Sequence, residues 1–336
     1  APLIVAAVTG WDDAASNQAL QGGSLPALAD VLEQGSRGDM LSPGSTGPAL
    51  TTLLTGTWPG EHGVVADTFF RTGSPDFAEV ASWADPGGVQ ADTLPLAAER
   101  AGKLVAAVGW PGLGDGDAVL QGPVIGAAQS FSLPLVARTG ATDGEIASAT
   151  IGGADLVGLD FAPAEGLSTL PASLSEVQEA TFALASTDKT VNPERAVTLL
   201  AIDSTDDGAA NYDQVVLVAD KFADLAAPVA PGGWGEAVVT LEGDLAGASA
   251  GFTYKLLELA PDLSTVSLYV TPVSRLHASW AGCPDKDACV GEGGFAESVS
   301  QRLGPAAAMD DAALSAELID AQTYAEQTAA SASQMQ

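Results

Sequence analysis

The feature that most constrains the fold is a series of short apolar runs rich in β-branched residues. Several of these runs are apolar at nearly every position, which predicts strands buried on both faces, as in a parallel sheet covered by helices. The predicted strands are 3–8, 103–108, 155–159, 196–202, 214–218, 237–241, 253–257 and 266–270. Helical periodicity between the runs predicts helices at 24–34, 48–54, 93–101, 295–303 and 310–332.

Alternating strands and helices predict an α/β protein with a doubly wound, mostly parallel sheet sandwiched by helices. We predict two parts in the chain. Residues 1–225 would form the α/β core, and residues 226–336 an inserted, cap-like segment that ends in a long helix.

The charge balance excludes one class of partner. The 336 residues include 43 Asp and Glu against 12 Lys and Arg, so the formal net charge is −31. Nucleic-acid affinity rests on Lys and Arg that displace counterions, so we expect no nucleic-acid partner. The apolar runs are all shorter than the roughly 18 residues that a membrane helix needs, so we expect no membrane span.

The start of the chain and its cysteines favour an oxidising compartment. Ala1 leads directly into an apolar run, which is typical of a mature chain after removal of a signal peptide. Cys283 and Cys289 enclose a polar loop, and such a close pair favours a disulfide over two free thiols. We therefore expect a secreted or periplasmic protein, or one at the cell surface.

The strongest local motif for chemistry begins at Thr46. Pro48 suits the first turn of a helix and Gly56 suits its end, so Thr46 is expected just ahead of the helix N-terminus. Unpaired amides and the positive end of the helix dipole favour a phosphate at that place, beside a hydroxyl able to attack it. An N-cap threonine on an ordinary helix explains the same pattern, so the local residues leave both interpretations open.

A set of motifs at fixed spacing narrows this choice. The motifs are an apolar run that ends in Thr9-Gly10, then Leu25-Pro26-Ala27-Leu28, Thr46-Gly47-Pro48, Thr55-Gly56 and Pro59-Gly60-Glu61-His62-Gly63. Together they resemble the alkaline phosphatase superfamily, in particular its type I phosphodiesterase and nucleotide pyrophosphatase branch. The resemblance implies a metal-assisted hydrolase, in which two metal ions polarise a phosphoester, a threonine alkoxide attacks, and water releases the phosphoryl group. It places Thr46 at the nucleophile and gives His62 a structural role beside the nucleophile helix.

The metal ligands of that family are largely replaced in this chain. The resemblance places the first metal position at Thr9, where the family has Asp, and another at Asp220, in Asp220-Lys221-Phe222 where the family has Asp-His-Gly. A neutral hydroxyl is a poor substitute for a carboxylate on a divalent cation. The chain has two histidines, His62 and His277, so its residues cannot complete the two-metal site of the family. An active form implies a divalent metal, namely zinc, manganese or calcium, and an inactive form implies none.

Two functional explanations follow, and the sequence leaves both open. In one, Thr46 hydrolyses phosphoesters after a second chain or a further C-terminal part completes the fold and the metal site. In the other, the protein is a catalytically inactive family member that acts as a structural or interaction component of an extracellular assembly. The expected partners are accordingly a second chain that completes the fold, or further copies in a homo-oligomer.

Two other groups of residues are weaker candidates. The segment 203–208 has carboxylates near a glycine turn, as in a calcium loop, but it lacks the distal Glu of such loops. An acidic turn after a strand is the simpler interpretation. His277, beside Arg275 and Trp280, is a candidate for contact with a ligand, although a histidine next to a surface loop is common.

Overall fold

The structure, a computed structural model, describes residues 3–7, 13–36, 38, 41–70, 81–83, 88–110, 120–142, 155–167, 169, 171–219, 226–284, 294–305 and 310–334. Thr9, Asp220 and Cys289 lie outside these ranges. The chain forms two compact units, residues 1–106 with 111–122, and residues 107–110 with 123–336. The predicted boundary between residues 225 and 226 falls inside the second unit, and the division into a core and a cap-like segment stays a prediction.

The described part of the first unit is mainly helical. Its elements are α1 (Asp13–Gln21), α2 (Pro26–Gln34), α3 (Thr46–Thr55), α4 (Pro59–His62), α5 (Leu94–Arg100) and an antiparallel ribbon of β1 (Thr68–Phe69) and β2 (Ala81–Ser82). The helices predicted at 24–34, 48–54 and 93–101 are confirmed to within two residues at each end. Gly56 ends α3 with φ of 69°, and the Thr93 hydroxyl begins α5 by accepting a hydrogen bond from the Leu96 amide.

The strand predicted at 3–8 is wrong for its described residues. Residues 3–7 form no strand, and the side chains of Leu3 and Ile4 are 77% and 86% exposed. An apolar run becomes a strand only where a neighbour pairs with its backbone. No strand pairing found in the described ranges involves this run.

The second unit contains most of the strands. They are β3 (Ala107–Val108), β4 (Pro123–Ser130), β5 (Leu135–Arg138), β6 (Asp155–Gly158), β7 (Ala162–Pro163), β8 (Gln178–Leu184), β9 (Arg195–Ile202), β10 (Gln214–Val218), β11 (Trp234–Thr240), β12 (Ser249–Leu259), β13 (Val266–Val270) and β14 (Ser274–Trp280). A mixed sheet has the order β3-β4-β14-β12-β13-β5-β6, with β11 also paired to β12. An antiparallel sheet has the order β10-β9-β8-β7.

The α/β prediction is confirmed in its coarse form, but the sheet is mixed and not mostly parallel. Among the strand pairs of the described residues, β3 with β4 and β5 with β6 are parallel and the others are antiparallel. The doubly wound arrangement is therefore not confirmed.

The small antiparallel sheet is buried on both faces, which explains why its apolar runs suggested a parallel sheet. Val197 and Leu199 of β9 pack into a core shared with β12, whereas Leu200 and Ile202 pack on the opposite face. Ala164, Leu167 and Val177 cover that opposite face. A loop segment thus buries the second face, where a parallel sheet would have a helix.

The two sheets of the second unit share one apolar core. Phe252, Tyr254 and Leu256 of β12 have 0% exposure and pack with Leu199 and Leu217 of the small sheet. The Tyr254 hydroxyl accepts a hydrogen bond from the Leu217 amide at 3.3 Å. This core consists of strands packed on strands.

The described residues after the sheets form the helices α6 (Phe295–Leu303), α7 (Asp311–Ser315) and α8 (Ala321–Gln334). The helix predicted at 295–303 is confirmed, whereas the single helix predicted at 310–332 is two helices. Glu317 has φ of 56° between them, which helical backbone does not adopt. In the part of the chain that the structure describes, no helix has the length and apolar character needed to cross a membrane.

A buried polar network joins the C-terminal helices to β13. The Tyr269 hydroxyl donates to Asp310 Oδ2 at 2.9 Å and accepts from Gln327 Nε2 at 2.7 Å. Asp310 Oδ1 accepts from the Ala313 amide at 2.9 Å at the start of α7. Burial, together with the Asp310 charge, raises the pKa of Tyr269 well above its ordinary value, so the phenol keeps its proton. The phenol therefore remains a hydrogen-bond donor to Asp310 at neutral pH.

Candidate active site

Thr46 lies in the first turn of α3, where its side chain is exposed. Ser45 precedes it in an extended conformation, and the Ser45 side chain makes no capping hydrogen bond. Pro48 has no backbone N–H and suits this turn, so the free amides at this helix end are few. The hydroxyl of Thr46 can thus be reached from solvent at the positive end of the helix dipole.

Asp67 is a residue of this site that sequence reasoning missed. Its Oδ1 accepts a hydrogen bond from the Gly47 amide at 2.5 Å. A Cβ atom on Gly47 would lie 2.7 Å from Trp83 Cγ and 2.9 Å from Asp67 Oδ1, so only glycine permits this close approach. The site therefore places a carboxylate at the helix end, next to Thr46. No local motif signals this contact, because Asp67 follows a separate helix.

His62 lies behind α3 and has no exposed surface. Its Nδ1 accepts a hydrogen bond from the Val64 amide at 3.1 Å, and its Nε2 is 3.0 Å from Thr52 Oγ1. Because Nδ1 accepts, the proton of the neutral ring is assigned to Nε2, which donates to Thr52. These contacts favour the structural role that the resemblance implies for His62.

Acid should destabilise the first unit through His62. Burial lowers the pKa of His62 below its ordinary value of 6.5, because the charged ring would lose its hydration. The unfolded chain therefore takes up this proton first as the pH falls. The contribution of neutral His62 is complete above about pH 6.5 and declines below it by at most about 1.4 kcal/mol per pH unit, until the folded state is protonated.

Urea unfolding at pH 7.5, 6.5 and 5.5, followed by the amide NMR signals of α3, measures this pH dependence. His62→Gln should be less stable at pH 7.5 and should show a smaller pH slope. His277→Gln removes the other histidine and should keep the wild-type slope. If His62→Gln shows the same dependence of stability on pH as wild type, this dependence does not come from His62.

The predicted metal positions are not brought together by the described residues. Thr9 and Asp220 both lie outside the described ranges, so their geometry is untested. Those ranges hold no group of three or more His, Cys, Asp or Glu side chains that could bind a metal ion. Asp67 lies beside Thr46, and its Oδ1 already accepts a hydrogen bond from the Gly47 amide. These residues do not fit a two-metal site, and we derive no reaction step through a metal.

The predicted disulfide stays a prediction. Cys283 lies in the turn after β14, where its amide donates to the Trp280 carbonyl at 3.2 Å. Its predicted partner, Cys289, is outside the described residues.

The carboxylates of the acidic loop after β9 organise the loop itself. Asp203 is buried, and its Oδ2 accepts a hydrogen bond from the Ser175 hydroxyl at 2.5 Å. Asp213 Oδ2 accepts from the hydroxyls of Ser204 and Thr205 at 2.8 and 2.6 Å. Such side-chain contacts are typical of polar turns and favour the interpretation as an acidic turn.

Comparison with protein families bears on the Thr46 site. Residues 13–116 match the family model described as type I phosphodiesterase / nucleotide pyrophosphatase. The matched segment includes Thr46, His62 and Asp67, and the resemblance recognised in the sequence is confirmed over this segment. No solved structure matches the chain.

Proposed function

We propose that this chain is a phosphoester hydrolase-like protein in which the Thr46 hydroxyl attacks phosphorus. The observation that carries the proposal is the position of Thr46, exposed in the first turn of α3 within the segment that matches the phosphodiesterase family. A nucleophile at this place meets the substrate at the positive end of the helix dipole, which favours negative charge.

The proposed reaction has two displacements at phosphorus. In the first, an Oγ–P bond forms, the ester P–O bond breaks, and the proton of the Thr46 hydroxyl is transferred to the leaving oxygen, which departs as the alcohol. In the second, water attacks phosphorus, the Oγ–P bond breaks, and Thr46 recovers its proton. The positive end of α3 opposes the build-up of negative charge on the phosphoryl oxygens in both steps.

We further propose that the active form requires a divalent cation, namely zinc, manganese or calcium. Since the described residues around Thr46 do not provide its ligands, these would come from other parts of this chain or from a second chain that completes the fold. Location outside the cytoplasm, as a secreted, periplasmic or cell-surface protein, is part of the same proposal and rests on the sequence alone.

Hydrolysis of a chromogenic diester and monoester tests the function. The full chain should release nitrophenolate from bis(p-nitrophenyl) phosphate or p-nitrophenyl phosphate when zinc, manganese or calcium is added, at a rate above that of the metal salt alone. EDTA should remove this activity. If the rates with both substrates equal those of the metal salt alone for every metal, the chain is not a phosphoester hydrolase, and the inactive family member is favoured.

One contact favours the alternative function, a catalytically inactive member that serves as an interaction component. The Asp67 carboxylate accepts the hydrogen bond of the Gly47 amide, so this amide is not free for a phosphoryl group. A phosphoryl group near Thr46 would also meet the negative charge of Asp67 at close range. On this alternative the site has lost phosphate binding, and the folded surface supplies the function.

Replacing Asp67 with asparagine should strengthen phosphate binding. Asp67→Asn keeps the shape of the side chain and an oxygen for the Gly47 amide, but removes the charge that repels phosphate. We expect the dissociation constant for inorganic phosphate to fall about tenfold, since the charge pair lies near the surface and solvent screens part of it. Isothermal titration calorimetry or phosphorus NMR line broadening measures it.

Glu61→Gln is the matched control for this measurement. It removes one negative charge from an exposed position of α4 and should leave the dissociation constant nearly unchanged. Weaker phosphate binding by Asp67→Asn would show that the carboxylate supports the anion site through its contact with Gly47.

A further inference from the structure

A small cavity lies in the second unit, among β11, β12, β14 and the end of α6. Its volume is about 200 Å³, and the residues that line it include Ala250, Ser274, Arg275, Ser300 and Pro305. The volume is below the roughly 300 Å³ of the smallest pockets for drug-sized ligands, so nucleotides are too large for it. Any ligand of this cavity has only a few heavy atoms.

Arg275 brings to this cavity a positive charge that has no hydrogen-bonded acceptor in the described ranges. The residue is 6% exposed, and within the described ranges its guanidinium forms neither an ion pair nor a hydrogen bond. Glu297 on α6 interacts with it electrostatically, but the Glu297 oxygens bind the Ser249 amide at 3.2 Å and Gln301 Nε2 at 3.3 Å. The guanidinium N–H groups therefore need water or a ligand in the cavity as their acceptor.

Ser300 provides a second, independent observation. It is 7% exposed, and its hydroxyl Oγ has no hydrogen-bond partner in the described structure. Buried hydroxyl groups nearly always have a partner, and the exceptions call for an explanation such as a bound molecule. The cavity lining therefore combines a buried hydroxyl that has no partner with a guanidinium that has no protein acceptor in the described ranges. Both groups suit an oxygen acceptor.

We propose that this cavity binds a short-chain aliphatic monocarboxylate, with its carboxylate on Arg275 and Ser300. The planar guanidinium matches the two oxygens of a carboxylate, and a hydroxyl adds a third hydrogen bond. Ala250, Val238 and Pro305 provide apolar contact for a short alkyl chain.

The local charges favour a single negative charge on the ligand. Glu297 lies near Arg275, and Glu236 lines the cavity from an exposed position. Each negative charge on a ligand is attracted by Arg275 and repelled by the two carboxylates, so a monoanion is favoured over a dianion such as phosphate or sulfate. This site uses no residue of the Thr46 site, so the proposal holds whether or not the chain hydrolyses phosphoesters.

Titration of the full chain with sodium isobutyrate tests the proposal. Ligand-observed saturation-transfer NMR should detect binding of isobutyrate and not of isobutyramide, which has the same shape without the charge. Ser300→Ala should weaken isobutyrate binding about threefold to tenfold, and Arg275→Lys about tenfold or more, because lysine cannot form the bidentate contact. Ser298→Ala, on the same helix and outside the cavity lining, should leave the dissociation constant unchanged.

A second comparison distinguishes a free short-chain acid from the C-terminus of a peptide as the ligand. A free short-chain acid and the terminal carboxylate of a peptide share this chemistry, so N-acetyl-alanyl-alanine is compared with its C-terminal amide. Binding of isobutyrate without the peptide acid assigns the site to free acids, and binding of both assigns it to carboxylates in general. The proposal is overturned if isobutyrate does not bind, if isobutyramide binds as tightly as isobutyrate, or if Ser300→Ala binds isobutyrate as tightly as wild type. Ser300→Ala is expected to fold, because alanine favours helices.

Discussion

Thr46→Ala should reduce metal-dependent phosphoester hydrolysis by at least about 10³-fold, since removing a covalent nucleophile eliminates the step that breaks the ester bond. Thr46 is exposed in the first turn of α3 and no described contact makes its hydroxyl necessary for folding. The loss should therefore appear in kcat with little change in the urea unfolding midpoint. Initial rates with bis(p-nitrophenyl) phosphate, measured on protein of equal purity, provide the comparison.

Two variants control for effects on the helix end. Ser45→Ala removes the neighbouring hydroxyl, which makes no capping hydrogen bond, and should keep most of the activity. Thr46→Ser keeps a hydroxyl at the same place and should retain measurable hydrolysis. If Thr46→Ala and Ser45→Ala hydrolyse the diester at the wild-type rate, Thr46 is not the nucleophile and the proposed reaction is excluded.

The second large effect concerns the ion pair between a buried lysine, Lys255, and the half-buried Glu326, which holds α8 against the mixed sheet. Lys255 Nζ lies 2.7 Å from Glu326 Oε2 and 3.1 Å from Thr323 Oγ1, and Trp234 Nε1 donates to the same Glu326 oxygen at 2.7 Å. The side chain of Lys255 is 6% exposed, whereas that of Glu326 is 34% exposed. The two partners therefore differ in how well water can replace a lost contact.

Removing Glu326 should cost more stability than removing Lys255. Glu326→Ala removes the counter-charge of a buried ammonium, which keeps only the Thr323 hydroxyl, and leaves the Trp234 N–H without its acceptor. This should lower the free energy of unfolding by about 3 kcal/mol. Lys255→Met fills the same space with an apolar chain and leaves a carboxylate that water reaches, so we expect about 1 kcal/mol. Urea unfolding at pH 7 measures both values.

The double variant and the pH dependence test the same ion pair. Lys255→Met with Glu326→Ala should be more stable than Glu326→Ala alone, because the buried charge is gone. Thr328→Ala, an exposed position on α8, should change stability by less than about 0.5 kcal/mol. If Glu326→Ala and Lys255→Met lower the free energy of unfolding equally, the predicted difference between the two partners is wrong.

The hydrogen bond from Lys255, aided by that from Trp234, lowers the pKa of Glu326 below its ordinary value of 4.5. The contribution of the pair is therefore complete above about pH 4.5 and is lost as the pH falls through the lowered pKa. Wild type should lose stability over this acidic range more steeply than the double variant.

Local signals predicted several elements with accurate boundaries. Pro48 and Gly56 bracket α3 because proline lacks an N–H that the first turn does not need, and glycine accepts the left-handed conformation at the end. The strands at 214–218 and 266–270 and the helix at 295–303 match the structure in full. Each of these depends on neighbours within one element, so the sequence around it contains the necessary information.

Contacts between distant segments were not predictable in the same way. Asp67 accepts the Gly47 amide from 20 residues further along the chain, after α4. Tyr269 meets Asp310 and Gln327 only after β13 and the C-terminal helices have packed. The break between α7 and α8 also escaped prediction, since the composition around Glu317 suits a continuous helix. These features depend on which surfaces meet, and the pattern along the chain contains no direct signal for that.

Patterns along the sequence were enough to predict the Thr46 helix, the resemblance of the first third to the phosphodiesterase family, and about half of the strand positions. Tertiary structure alone decided that the strands pair mostly antiparallel, that a carboxylate lies at the end of α3, and that Arg275 and Ser300 line one cavity. The physical reason is the range of the interactions. Propensity, capping and apolar periodicity act between near neighbours, whereas strand pairing, burial of charge and cavity shape depend on chain segments that only folding brings together.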